Sequence, residues 1–203
     1  MNNFSSPALL MCALLASLSS GAGFAADLEF DEYVQRADAA KKRGDWESVA
    51  SQIAQAINHP DLPRAGAVRS AVHLDYGRAM GVLCHFDAAE KYLLRAKQIA
   101  QQGNVSTFHA VVELGALNVG QKKYAVAAGL YSEMMPIVER ESLIKMSPLL
   151  VADALEKFAI ALAATDQSAE AESRRRAAGK IRETGSKAPP ATITPYGAKC
   201  AQH

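Results

Sequence analysis

Trp46, Phe86 and Tyr124 each open the same spaced pattern, and that recurrence most narrows the folds open to this chain. Ala89, Leu93 and Ala96 follow Phe86 at intervals of three, seven and ten. Ala127, Tyr131 and Met134 follow Tyr124 at the same intervals, as do Val49, Ile53 and Ala56 after Trp46. Upstream, Tyr76–Gly77 and Leu114–Gly115 stand ten and nine residues before Phe86 and Tyr124, and Ala37 stands nine before Trp46. A fainter copy centres on Ser168, with Ala171, Arg175 and Ala178 after it and Phe158–Ala159 before it. The four centres lie 40, 38 and 44 residues apart. Self-similarity at such a period marks an array of repeats.

Intervals of three, seven and ten share one face of an α-helix, and the upstream pair lies on a second helix before a short turn. The expected fold is therefore all-α: an α-solenoid of about four antiparallel helical hairpins. Gly77, Gly115, Ala89 and Ala127 are small enough to let two helix backbones approach closely. The aromatic at the start of each second helix wedges its hairpin at the turn, where "RGDW" and "VGQKKY" supply helix-breaking Gly and polar residues. Such a hairpin cannot bury its apolar face alone, so neighbours must stack. An irregular helical bundle is the competing architecture.

The segments "KKRGDWESVASQIAQAI" and "LGALNVGQKKYAVAAGLYSEM" resemble tetratricopeptide repeats, and "DQSAEAESRRRAAGKIRE" is similar to the long-period variant of kinesin light chains. The resemblance implies a right-handed superhelical stack over residues 27–183. No copy keeps the 34-residue period of that family. The last carries Ser168 for the aromatic and Arg175 for the core residue, as a capping hairpin with a wet outer face would.

Residues 1–25 hold no charged side chain, and "ALLMCALLASL" (Ala8–Leu18) runs unbroken through small and apolar residues. Gly23 and Ala25 occupy the small-residue slots of a signal-peptidase site, so 1–25 reads as a secretory signal cleaved after Ala25 or Ala26. Eleven residues fall short of the roughly 20 that span a bilayer. Met11 before Cys12 is too large for a lipid-anchored leader. The exported chain would be periplasmic or secreted, with no later stretch long enough for a membrane span. It keeps Cys84 and Cys200, too few for a disulfide framework, and their pairing in an oxidising compartment stays open. Residues 184–203, with tandem proline and no periodicity, read as a flexible tail.

Lys and Arg total 22 against 21 Asp and Glu, so no bulk charge points to nucleic acid. The adjacent Cys84 and His85 fall at the turn of the second hairpin. A thiolate–imidazole nucleophile needs a third group to orient the ring, and zinc needs two more ligands at paired spacing. Neither exists here, so the pair reads as turn residues, with no metal, cofactor or catalytic residue assigned. No phosphate loop or nucleophile elbow is present, and nothing argues for an enzyme. His73 is expected beneath the groove and His109 facing it. Arg174, Arg175, Arg176, Lys180, Arg182 and Lys187 spread around the last helix, as a solvated terminal helix or a contact for an acidic partner.

The first helices of a hairpin stack line a concave face. The repeat phase puts Val34, Asp38 and Lys41 there from the first hairpin and Leu74 and Arg78 from the second. The third contributes His109, Val112 and Ala116, and the fourth Glu156 and Ile160. An apolar strip of Val34, Leu74, Val112 and Ile160 beside mixed charges suits an extended peptide or an amphipathic helix. The family's chaperone-tail binders clamp a terminal carboxylate with Lys and Asn. Asp38 and Arg78 stand at the nearest positions here, so that role does not carry over. The expected function is an exported adaptor holding a protein or peptide. A closed apolar pocket would instead indicate a small or lipidic ligand, and clustered titratable groups in a cleft an enzyme. N-terminal sequencing of the protein from its native source should begin at Ala26 or Asp27; a chain starting at Met1 would contradict export.

Overall fold

The computed structural model describes residues 28–184, 194–198 and 200. The leader over 1–25 lies outside the described residues. Among those described, all regular structure is helical: α1 (Phe30–Arg43), α2 (Trp46–Asn58), α3 (Ala67–Val82), α4 (Phe86–Gln102), α5 (Phe108–Gly120), α6 (Tyr124–Arg140), the one-turn α7 (Leu143–Met146), α8 (Pro148–Ala163) and α9 (Ser168–Thr184). None of these helices is long and apolar enough to cross a membrane. The repeat centres Trp46, Phe86, Tyr124 and Ser168 are the first residues of α2, α4, α6 and α9.

Local chemistry starts and stops these helices. Glu29 and Glu32 form a capping box at the head of α1, the Asp45 carboxylate accepts the Ser48 N–H at 3.1 Å, and Pro148 opens α8. All four hairpins turn the same way. Gly44, Cys84, Lys122 and Asp166, each two residues before the second helix, have φ of 71°, 68°, 59° and 61°. The next residue's N–H then reaches a carbonyl five positions back: Asp45 to Ala40, His85 to Met80, Lys123 to Asn118 and Gln167 to Leu162. This is the Schellman closure, and the left-handed residue costs a non-glycine roughly 1–2 kcal/mol. Glycine takes that place once, at Gly44. In "VGQKKY" the turn residue is Lys122, while Gly120 closes α5.

Packing follows sequence order. α1 with α2, α3 with α4, α5 with α6 and α8 with α9 form hairpins, and α2–α3, α4–α5 and α6–α8 join them into one stack. Residues at intervals three, seven and ten are fully covered: Ala89, Leu93 and Ala96 are each 0% exposed, as are Ala127, Tyr131 and Met134. The upstream glycines explain the tightness. A Cβ at Gly77 would stand 2.8 Å from Leu93, and one at Gly115 2.7–2.9 Å from the Tyr131 ring. The first hairpin solves the same problem with Ala37 and Ile53, both buried. In the last, exposed Arg175 leaves the outer face wet, and Arg174 lies 5.1 Å over the Phe158 ring.

Thr194–Ala198 and Cys200, within the segment expected as a tail, pack on the fold. Thr194 and Tyr196 are buried, Tyr196 joins the core cluster of α3, α4 and α5, and Cys200 forms a disulfide with Cys84. Its aromatic ring and a cross-link spanning 116 residues of sequence hold it down, and neither effect is local.

Overpacking a core site costs roughly 1–3 kcal/mol. Gly115→Ala should therefore lower the melting temperature. Tyr131→Ile should cost stability too, yet the pair Gly115→Ala/Tyr131→Ile, which copies the first hairpin's solution, should lose less than the two single losses together. A double-mutant cycle by thermal denaturation reads this coupling, and strict additivity would place Gly115 away from Tyr131.

Candidate functional site

The first helices lie in a row, with α3 against α5 and α5 against α8. Along this row the sequence sets charges that meet across helices as well as within them. Lys41 of α1 reaches Asp75 of α3 at 2.9 Å and also Asp38 at 2.9 Å. Arg78, one turn after Asp75, donates to Asp75 at 3.0 Å and to Glu113 of α5 at 2.8 Å through both Nε and Nη2. Glu113 is 6% exposed, and its second oxygen accepts the Tyr196 hydroxyl at 2.7 Å. One chain of ion pairs and hydrogen bonds thus joins α1, α3, α5 and the carboxyl-terminal segment.

Burial sets the electrostatics. It opposes the charge on Arg78, but Glu113 and Asp75 more than offset it and hold the guanidinium above its ordinary value. Lys41 is likewise held up by Asp75 against its own burial. Burial first and Glu113 second push the Tyr196 phenol far up, so it stays a donor. His109 sits beside this network, where desolvation first and Arg78 second lower its pKa. His73 is 5% exposed, with Nδ1 2.8 Å from the Arg69 carbonyl and its ring beside Tyr92, and desolvation lowers its pKa as well.

Tyr196 occupies a slot made by missing side chains. A Cβ at Gly81 would clash with its ring, 2.6 Å from Cδ1, and one at Gly120 would stand 3.0 Å from its Cβ and 3.1 Å from its carbonyl oxygen. Leu117 closes the slot near Gly81, and left-handed Gly197 lies over the Gly120 carbonyl. Beside it, Thr194 and Pro195 form one wall of a recess of about 730 Å³, whose other walls are Lys41, Lys42, Arg43, Gly44, Trp46 and Arg78.

The expected groove residues divide into three groups. Lys41 and Arg78 belong to the charged network, and His109 borders it. Leu74 and Val112 are each 8% exposed and pack in the core clusters, so little of either side chain is presented to a partner in this structure. Ala116 is buried too, and Val34 packs against the first core cluster. Asp38, Glu156 and Ile160 remain exposed, although Glu156 pairs with Arg182 of α9. The basic run is largely neutralised from within: Arg174 meets Glu170 at 2.7 Å, Arg175 and Arg176 meet Glu172 at 3.6 Å, and Arg182 meets Asp153 at 2.5 Å. Cys84 and His85 sit in the turn as expected, with Cys84 in the disulfide. No group of three metal-ligating side chains occurs among the described residues.

Asp75, Glu113 and Tyr196 were not among the expected site residues. Glu113 carried a usable signal, being a lone acid within the apolar run "FHAVVELGALNVG". Tyr196 in "TPYGAKC" carried another: an aromatic and a cysteine together in a supposed tail.

No protein-family model matches the chain, and no curated protein matches it at a significant level. Among solved structures it is similar to the crystal structure of MamA. The TM-score is 0.59 at 14% identity, over 76% of this chain and 79% of that one. At this identity the likeness shows the fold alone, which is a tetratricopeptide-like α-solenoid.

His73 and His109 bind a proton less readily when folded than at the ordinary value of 6.5. Below that pH the unfolded chain takes up more protons, so their stabilisation, complete above it, is lost as pH falls through the lowered folded values. The melting temperature should drop from about pH 6.5 downward, and the variant His73→Gln/His109→Gln should flatten that drop. An unchanged acid limb would exclude both residues as its cause.

Proposed function

We propose that the protein is an exported adaptor, periplasmic or secreted, whose row of first helices forms a concave groove for a protein or peptide partner. In this reading the repeats are a long-period variant of the kinesin-light-chain kind. The carrying observation is that this row already receives a segment of polypeptide: Thr194–Ala198, turned at Tyr196–Gly197, lies on α3 and α5, with its aromatic in a glycine-made slot and its hydroxyl on a buried carboxylate. A surface that takes a stretch of its own chain this way has the features of a peptide site, namely a pocket for one side chain and a polar group that fixes it. The open, cation-rich recess beside it favours a polypeptide over a lipid, which needs an enclosed apolar pocket.

Asp38 and Ile160 keep exposed side chains on the first helices, while Leu94 and Val126 are 49% and 53% exposed on the second helices α4 and α6. Asp38→Lys and Ile160→Glu should weaken capture of the physiological partner at least tenfold, about 1.4 kcal/mol, with helical circular dichroism unchanged. Leu94→Glu and Val126→Glu should leave it intact. The reverse pattern in a quantitative binding assay would move the partner to the outer face and overturn the groove reading.

A further inference from the structure

The slot between α3 and α5 is filled by the chain itself, and a covalent bond keeps it filled. We infer that it is a ligand site for peptides that present a tyrosine followed by glycine in a tight turn, that residues 194–198 occupy it in cis, and that reduction of Cys84–Cys200 opens it. The inference rests on the adaptor reading and adds the ligand's chemistry and its gate.

Three independent features of the slot fit that ligand. Gly81 and Leu117 leave room for a flat ring, and a side chain at Gly81 would remove that room. Glu113, already held by Arg78, offers its second oxygen to a hydroxyl, which selects tyrosine over phenylalanine. Gly120 lets the ligand backbone lie on α5, and the following residue, Gly197, has φ 74°, which glycine adopts without strain. The slot's two glycines do not serve the hairpins. The turn after α5 is made by Lys122 rather than Gly120, and the close hairpin approaches are made by Gly77 and Gly115 rather than Gly81.

The latch is placed where a reductant can reach it. Cys84 occupies the left-handed turn position and borders an open recess of about 510 Å³ with His85, Phe86 and Gln121, and both cysteines are only half-buried. A dithiol reductant would open it by thiol–disulfide exchange. The Cys84–Cys200 bond breaks and each sulfur leaves as a thiol, while the dithiol loses two electrons and two protons and closes to its own disulfide. Residues 194–198 are then held by non-covalent contacts alone. A competing peptide still faces an effective tail concentration on the order of millimolar, so opening is graded.

The test uses the full mature chain and a fluorescein-labelled peptide, ATITPYGA, copied from residues 191–198. The variant Tyr196→Ala/Cys200→Ser empties the slot. By fluorescence anisotropy it should bind the peptide at least tenfold more tightly than the oxidised wild-type chain, and dithiothreitol-treated wild type should fall between them. Adding Gly81→Ala to the variant should abolish binding, and a peptide with phenylalanine for tyrosine should bind more weakly. Equal binding to oxidised wild type and variant would place the peptide elsewhere and overturn the inference. So would a folded variant that binds no peptide. If the variant unfolds, reduced wild type and Cys200→Ser alone decide, and unfolding of these as well would make the segment a structural strut and overturn the gate. A reduced chain that dimerises on size exclusion and excludes the peptide would assign the slot to a second copy instead. Failure here leaves the mapping of Asp38 and Ile160 standing, and failure of that mapping leaves this slot standing.

Discussion

The stack depends on two helix backbones coming close enough for a large side chain of one to replace the missing side chain of the other. Leu93 lies over Gly77 and Tyr131 over Gly115, each pair holding the two helices of a central hairpin together. Close packing of this kind leaves no slack, so the covered residues of α4 and α6 are fixed in phase along their whole length. The hairpin angle, the row of first helices and the distances between their charges follow from that contact. Ala37 and Ile53 in the first hairpin show that the constraint is one of summed volume rather than of a particular residue.

Given that row, Lys41, Asp75, Arg78 and Glu113 satisfy one another across α1, α3 and α5. Arg78 lies between Asp75 and Glu113, and Lys41 lies between Asp38 and Asp75. Removing one partner from such a network leaves a poorly solvated charge, so the row is held in register electrostatically as well as by packing. Glu113 still has one oxygen to give, and Tyr196 takes it. The carboxyl-terminal segment thereby completes a network that begins in α1.

The hairpins were legible because their signal is periodic. Four helix starts could be read to the residue from intervals of three, seven and ten, and the wet last hairpin from Arg175. The turn residue was legible only at Gly44, since Cys84, Lys122 and Asp166 adopt the same left-handed conformation under tertiary control rather than by propensity. Helical phase placed Leu74 and Val112 on the groove side, yet first helices are covered by both neighbours, and a projection by period does not show where that cover ends. Tyr196 was hidden for a different reason. Prolines and absent periodicity describe the backbone near it, whereas its place is decided by Gly81, Glu113 and Gly120, some eighty to over one hundred residues earlier in the chain.

The central claim is that residues 194–198 are a removable occupant of the first-helix face, held by Cys84–Cys200. Hydrogen–deuterium exchange of the full chain, compared before and after dithiol treatment, tests it most directly. The account predicts faster exchange in residues 194–198 and at the carboxyl ends of α3 and α5, with the buried faces of α4 and α6 as protected as before. Loss of protection throughout the helices, or no change anywhere, would contradict it.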